Sequence, residues 1–408
     1  MSTSQSGRSD SPGQSPGSDT RIEAIDAWAC RLELAVPISF GDHVISSREY
    51  TAVRLTTSDG LSSDAVGLAR KAPVDLAILD VLGPVLLGRD SLDLDGARTA
   101  MRRSTRALGM DGVIARAASL LELCLWDSRS QRAGVPLWQF LGGAARLLPV
   151  QVVEGYPLPD ESLPAFADRI AHRAEQGFTA VKLEVASEPS PEAAGRKLAY
   201  VRREAGPDVQ LIADMAYFWE SADEAVTAVS GWHGVGLSWL EDPMPRDRAS
   251  AMAELRRRSG IPLGAGDEST RPAELAALLD AGAVDVLRID LTTLGDLAAA
   301  ERLAAAADAL GVTVSPHVHP EVHRHIALAW PGIDRVEAFP LDRPFDLLHE
   351  LIEHPMMADV SAGHVAPPAR PGLGLSLDLA AVRRASVRSG SLRHPLVYAT
   401  IASDGGST

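Results

Sequence analysis

Between Leu148 and Pro340 the chain alternates short apolar runs with stretches in which apolar residues return every three or four positions. The runs are VQVVEG, AVKLE, QLIAD, LSWLE, PLGAGD, VDVLRID, VTVSPH and RVEAF. Runs that stay apolar read as strands buried on both faces, and the periodic stretches between them read as helices. Pro191 to Glu204 is one such helix, with Ser190 able to cap it and Pro191 at its first position. Strand and helix in strict alternation predict a parallel sheet covered by helices. Eight units favour a closed barrel over an open doubly wound sheet, which would also want a glycine-rich phosphate loop after its first strand.

The pattern differs on either side. Residues 1–20 are Ser, Gly, Pro and Gln without apolar periodicity and read as a disordered tail. From Arg21 the alternation of RIEAIDAWACRLEL, YTAVRLTT and LSSDAVGLA predicts a small antiparallel sheet, with a turn at Ser58-Asp59-Gly60. Helical spacing follows from Asp111 to Ala133, where Ile114, Ala118, Leu121 and Leu125 share a face and Gly134 stops the turn. The stretches PISFGDHVISS and ARKAP, carrying His43, Arg70 and Lys71, read as loops able to reach over a neighbouring site. Past Pro340 the alternation ends while apolar content persists, so the last segment is expected to fold back on the first domain through the turn-rich PARPGLGLSLD. The expected division is therefore 1–20 tail, 21–145 N-terminal α+β domain, 146–340 barrel and 341–408 returning segment.

Composition narrows the function classes. Net charge is −15, from 54 acids against 39 Lys and Arg, with no long basic run, which speaks against nucleic acid and anionic membranes as partners. No apolar stretch approaches a membrane span and the N-terminus lacks a signal-peptide pattern, so a cytoplasmic enzyme is expected. Cys30 and Cys124 are too few and too far apart in sequence to suggest a disulfide framework. Only Lys71, Lys182 and Lys197 are lysines, so the other basic residues are arginine and a strand-end lysine stands out from surface filler.

The chemistry is written at the strand ends. QLIAD ends at Asp214, LSWLE at Glu241 and PLGAGD at Asp267, spaced 27 and 26 residues apart. In a barrel such ends share one mouth, where three unpaired carboxylates would repel one another, and a hard divalent cation such as Mg²⁺ would resolve the conflict. Ordinary strand-end acids paired with arginine are the alternative, less favoured because three stand in register. AVKLE brings Lys182 and Glu184 to one strand face. VDVLRID ends with Asp290 and VTVSPH with His317, one strand-helix unit later, as expected for a general base oriented by a carboxylate. Glu337 ends the eighth strand and could give a proton or hydrogen bond to a substrate oxygen. His319 is set aside because an oxygen-only cation site already exists, and His323 and His325 read as solvated or capping residues of a helix.

Lys on the second strand, Asp, Glu and Asp on the third to fifth, Asp on the sixth, His on the seventh and Glu on the eighth resemble the enolase superfamily, and within it the mandelate racemase subgroup. LLELCLWDSRSQRAGVPLWQFLGG and PGLGLSLD extend the likeness over most of the chain. The resemblance implies a (β/α)7β-type modified TIM barrel with an α+β capping domain formed by the N-terminal region and the C-terminal segment. It implies Mg²⁺ on Asp214, Glu241 and Asp267, His317 with Asp290 as base, and Lys182 as a contact to the substrate carboxylate; enolase-superfamily sites of this kind are a worked case of the general chemistry. The sequence departs from the subgroup at four places. Lys-x-Lys is here Lys182-Leu183-Glu184, Ala216 stands where Asn is common, Thr293 stands where a lactonizing enzyme carries its lysine base, and Gly266-Asp267-Glu268 offers two acids for the third ligand, of which Asp267 follows the glycine.

With one clear base, abstraction of the proton alpha to a carboxylate followed by loss of water is the expected reaction, that of an acid-sugar dehydratase. A racemase or epimerase using Lys182 as opposite base, or a catalytically silent metal-binding homologue, are the alternatives. The expected partner is a small carboxylate, a sugar acid, in a homo-oligomeric enzyme.

Overall fold

The computed structural model of the chain describes residues 19–40, 43–156, 158 and 160–395. Apart from Asp19 and Thr20, the tail expected at the N-terminus lies outside them, as does the end of the C-terminal segment after residue 395.

The first sheet is antiparallel: β1 (Ile22–Phe40), β2 (His43–Thr57) and β3 (Ser62–Leu68) follow one another as hairpins. The β2–β3 turn closes where expected, with the Gly60 N–H donating to Thr57 O at 2.8 Å and φ of 85° at Gly60, a conformation that favours glycine. PISFGDHVISS departs from its expected loop. Ile38 pairs with Ile45 and Phe40 with His43, so the first hairpin runs on as a long ribbon. Pro37 and Gly41 are turn signals that hid this alternation, and Pro37 falls inside the register break between Glu33 and Ile38, where a missing N–H costs no ladder bond.

Helix Gly112–Arg132 lies where the periodicity put it, yet it is buried on nearly every side, with Ala118, Leu121 and Leu125 fully covered. It is sandwiched between the first sheet and the barrel: Ser119 Oγ accepts from the Gly295 N–H at 2.6 Å and Glu122 Oε1 from the Leu297 N–H at 3.2 Å.

The barrel strands are β4 (Leu148–Val153), β5 (Ala180–Glu184), β6 (Gln210–Asp214), β7 (Trp239–Glu241), β8 (Leu263–Ala265), β9 (Val286–Ile289), β10 (Thr313–Pro316) and β11 (Val336–Ala338), matching all eight expected runs. Their ladders are parallel in the order β10-β9-β8-β7-β6-β5-β4-β11, and a bridge from Val314 to Ile333 narrows the remaining seam. Ser190 caps its helix as read, with Oγ accepting from the Ala193 N–H at 3.2 Å, and Ser162 and Ser221 cap two others. Inside the barrel, Ala180, Ile212, Trp239 and Val286 form a small apolar plug. Side chains two residues on along the same strands face the same interior, which places Lys182, Asp214, Glu241 and Arg288 above that plug. Gly264 makes room for it, because a Cβ there would stand 2.5 Å from the Trp239 ring.

After β11 the chain turns back, lays β12 (His364–Val365) antiparallel on β4, and adds β13 (Ser386–Arg393) to the free edge of β1. We propose that the returning segment, described from residue 341 to residue 395, is the last piece of the N-terminal domain. Val365, Leu373, Leu377 and Val382 in this segment are at most 2% exposed. At roughly 1.5–3 kcal/mol for each such side chain, losing four removes an amount comparable to the about 5–15 kcal/mol that holds a typical protein folded. Deleting residues from Ala362 onward should therefore give insoluble protein. A soluble, fully active truncation in a sedimentation and turnover assay would reduce the segment to a tail.

Candidate active site

The C-terminal ends of the barrel strands gather a charged cluster around the Lys182 ammonium. Its Nζ lies 2.7 Å from Glu241 Oε1, 3.2 Å from Glu337 Oε1, 3.5 Å from Asp214 Oδ2 and 3.7 Å from Asp267 Oδ2. A second cation sits beneath, since Arg288 is fully buried with Nε 2.8 Å from Asp267 Oδ1 and 3.4 Å from Glu241 Oε2, and Nη2 2.8 Å from Glu337 Oε1. Arg288 was not read as a site residue. Its position on β9, two residues after Val286 and two before Asp290 at the strand end, was the available signal.

The far oxygens of the three aligned acids are anchored. Asp214 Oδ1 accepts from the Ala216 N–H at 3.0 Å, Glu241 Oε2 from Trp239 Nε1 at 2.9 Å and Asp267 Oδ1 from Arg288 Nε at 2.8 Å. Their near oxygens all face the same ammonium. Among the described residues the carboxylates are not drawn together to the spacing of a ligated cation, because Lys182 stands between them. The donor set is nonetheless all carboxylate oxygen, held from behind, which suits a hard divalent cation. Charge balance agrees, since burial together with Glu241 and Asp267 pushes the Asp214 carboxyl up to about 7 despite Lys182. Asp242, also buried at this rim with its Oδ1 accepting from the Gly266 N–H at 3.1 Å, is likewise pushed up by burial and then by Asp267, Glu241 and Asp214.

The two adjacent acids of the fifth strand end face different ways. Asp267 joins the cluster, whereas Glu268 reaches across to the first domain, where Arg116 Nη2 lies 2.6 Å from Oε2 and Arg70 Nε donates to Oε1 at 2.9 Å. Arg70 and Lys71 have φ of 51° and 63°, a left-handed pair that turns this segment toward the mouth. Burial would raise the Glu268 carboxyl, but Arg70 and Arg116 hold it well below the usual range.

His317 stands beside the cluster. Its Nδ1 is 3.1 Å from Asp290 Oδ2 and its Nε2 is 3.5 Å from Asp267 Oδ2. Asp290 Oδ1 accepts from both the Thr292 N–H and Oγ1 at 2.7 Å, which fixes the carboxylate that orients the ring. Burial lowers the affinity of the imidazole for a proton, but Asp267, the hydrogen bond to Asp290 and Glu268 outweigh it and bring its pKa to about 9. Glu337 is expected from the sequence to give a proton or hydrogen bond to a substrate oxygen. It is fully buried below the mouth, accepts from Gln151 Nε2 at 2.5 Å, and is held below the ordinary carboxylate range by Arg288 and Lys182 against the effect of burial. Covered from the mouth and paired with Lys182 and Arg288, this carboxylate stands as their counter-ion.

The other histidines also correct the sequence reading. His323 and His325 are completely buried in helix Pro320–Ala329, because that helix packs between the barrel and the returning segment. His323 Nε2 accepts from the Leu291 N–H at 3.0 Å and Nδ1 donates to Val318 O, while His325 Nδ1 accepts from the Trp138 N–H at 3.1 Å and Nε2 donates to Leu373 O. Burial pushes their pKa down to about 4 and about 3, so both are neutral struts with fixed tautomers.

Above the cluster opens a cavity of about 690 Å³. Lys182, Asp267 and His317 form its floor, and residues of the first-hairpin ribbon, among them His43 and Arg48, form its roof together with Arg70. The reach over a site expected of these stretches is therefore present, carried largely by strand.

Comparison with known proteins agrees with this architecture. The profile of the mandelate racemase / muconate lactonizing enzyme N-terminal domain matches residues 24–142, and that of the enolase C-terminal domain-like family matches residues 165–381. The chain belongs to the mandelate racemase and muconate lactonizing enzyme family of the enolase superfamily. Relatives in this superfamily catalyse more than one reaction. A D-galactonate dehydratase family member from Streptomyces bingchenggensis is 26% identical over 83% of this chain and 90% of its own. The L-Ala-D/L-Glu epimerase of Bacillus subtilis is 25% identical over 87% and 96%. A solved enolase from Bradyrhizobium, complexed with magnesium and mandelic acid, superposes with a TM-score of 0.79 at 27% identity, covering 90% of this chain and 99% of its own.

The departures from the mandelate racemase pattern have structural counterparts. Glu184, in place of the second lysine, accepts from the Ser187 N–H at 3.1 Å and from Ser187 Oγ at 2.6 Å. Thr293 is buried and donates from Oγ1 to Ser269 O at 3.1 Å, tying two rim loops together. Ala216 turns the chain with φ of 49°.

Proposed function

We propose that the protein is an acid-sugar dehydratase that removes the proton alpha to a carboxylate and expels water from a hydroxy acid. The observation that carries this reading is the presence of a single carboxylate-oriented imidazole, His317, on the cavity floor, while Glu184 is engaged by Ser187 and Lys182 is ion-paired. Asp214, Glu241 and Asp267 would hold Mg²⁺, as their oxygen-only chemistry and the magnesium in the Bradyrhizobium relative support. Bound there, the cation would supply positive charge that offsets the two negative oxygens of an enediolate. Lys182 binds the substrate carboxylate and directs it to the floor. His317 acts in its neutral form, which a cation on Asp267 would favour by offsetting the charge that holds the imidazolium. Its Nε2 accepts the alpha proton, with Asp290 holding the tautomer, and the resulting imidazolium returns it to the hydroxyl that leaves from the next carbon as water. The enol so formed tautomerises to a 2-keto-3-deoxy acid. An epimerase reading would require Lys182 to act as the opposite base, for which its contact of 2.7 Å with Glu241 is unfavourable.

The test is a panel of aldonic and aldaric acids assayed for keto-acid formation with Mg²⁺ and then with EDTA. Alpha-proton exchange without keto acid across the panel would reject dehydration. The ligand assignment has its own check: Asp267→Asn should abolish turnover, while Glu268→Gln, which weakens the contact to Arg70 and Arg116, should leave it measurable. The reverse order would mean that the other acid holds the cation.

A further inference from the structure

Five arginines are buried among the described residues, and four of them have evident partners. Arg169 and Arg173 meet Glu154, Arg288 meets Asp267, and Arg48 donates from Nε to Phe345 O at 2.8 Å. The exception is Arg324, in helix Pro320–Ala329, which is 7% exposed. Among the described residues no hydrogen bond or ion pair reaches its guanidinium, and its Nε is buried without a partner. A lysine or histidine in such a place could shed its proton, but arginine keeps its charge, so the burial cost stays until an anion or water meets it. Arg324 lines a cleft of about 330 Å³ between its helix and the returning segment, which shares no lining residue with the cavity over Lys182 and His317.

We propose that this cleft is a binding site for a small oxyanion, a carboxylate or phosphate group, with Arg324 as its floor and Arg370 at its rim. A planar guanidinium presents paired N–H donors that match either group. Arg370 adds a second positive charge from the exposed side, and His354 lines the same opening. The carboxylates nearby do not fill this role. Glu353 and Asp359 sit on the exposed rim, where solvent and salt screen them, and neither forms an ion pair with Arg324. Glu321, one turn earlier in the helix, directs Oε1 to the Met356 N–H at 3.1 Å, and its buried Oε2 makes no hydrogen bond, so its charge acts on Arg324 without forming an ion pair with it. Burial lowers the pKa of Arg324 against the pull of Glu321 and Asp359, as expected of a cation whose nearby acids do not suffice. The site is independent of the reaction proposed above.

Calorimetric titration of the Mg²⁺-loaded full chain with inorganic phosphate, and separately with acetate, tests the proposal. Saturable binding is expected that weakens about tenfold or more in Arg324→Gln, the effect of losing a charged hydrogen-bond partner, and that persists in His317→Asn. Arg370→Glu, on the exposed rim, should weaken it as well and carries the test if Arg324→Gln does not fold. Preference for phosphate over acetate would identify a phosphate group as the natural ligand, and equal or stronger acetate binding a carboxylate. An absence of saturable binding, or binding unchanged in both arginine variants, would show that Arg324 is met by water alone and would overturn the proposal.

Discussion

Replacing His317 with Asn should eliminate both keto-acid formation and alpha-proton exchange in D₂O, by roughly the 10²–10⁴-fold typical of a general base or more. The expectation rests on the ring standing 3.1 Å from Asp290 at the floor of the cavity, with no other imidazole of the floor so oriented. Asn is smaller but still polar and able to hydrogen-bond to Asp290, and it cannot take up and release a proton near neutral pH. Asp290→Asn should be milder, since it disturbs tautomer and basicity while the imidazole stays. The stereochemical result decides between reactions. If the His317→Asn variant still exchanged the alpha proton of one substrate epimer, a second base would exist on the opposite side, and Lys182 or Glu184 would have to be that base. Dehydration from a single face would then give way to epimerisation.

Much of this site is legible along the chain because a parallel barrel repeats itself. Asp214, Glu241 and Asp267 recur at intervals set by one strand, one helix and two loops, and the same spacing links Asp290 to His317. What periodicity cannot reveal is who stands opposite. Glu268 looks as good a ligand as Asp267 until Arg70 and Arg116 are seen to claim it, and those arginines lie about 150 to 200 residues earlier in the chain. Glu337 sits at a strand end like the others, yet Lys182 and Arg288 make it a buried counter-ion. His323 and His325 read as solvated because a helix with charged neighbours normally has a wet face, and only the returning segment, folding over from the far end of the sequence, covers it. The ribbon formed by β1 and β2 was obscured for the opposite reason: local turn residues were legible, but the pairing of Ile38 with Ile45 that overrides them is not local.

Glu241→Gln should abolish turnover and weaken Mg²⁺ binding by at least about 10–100-fold, the range seen when even a supporting residue of a metal site is lost. Glu241 is the most enclosed of the three acids, fully buried, with Oε1 toward Lys182 and Oε2 against Trp239 and Arg288. The amide has the same shape but removes one negative charge and turns one oxygen into a donor, so it opposes a cation without emptying the space. The fold should survive, for a reason the contacts supply. Lys182 retains Asp214, Asp267 and Glu337 within 4 Å, and Arg288 retains Asp267 and Glu337, so neither buried cation is left alone by the change. Thermal unfolding in EDTA should accordingly stay close to wild type while Mg²⁺ ceases to raise the midpoint. Unchanged Mg²⁺ affinity by calorimetry would remove Glu241 from the ligand set. A collapsed midpoint in EDTA would instead mean that this carboxylate holds the barrel mouth together by pairing with Lys182, and that its alignment with Asp214 and Asp267 serves the fold before it serves a metal.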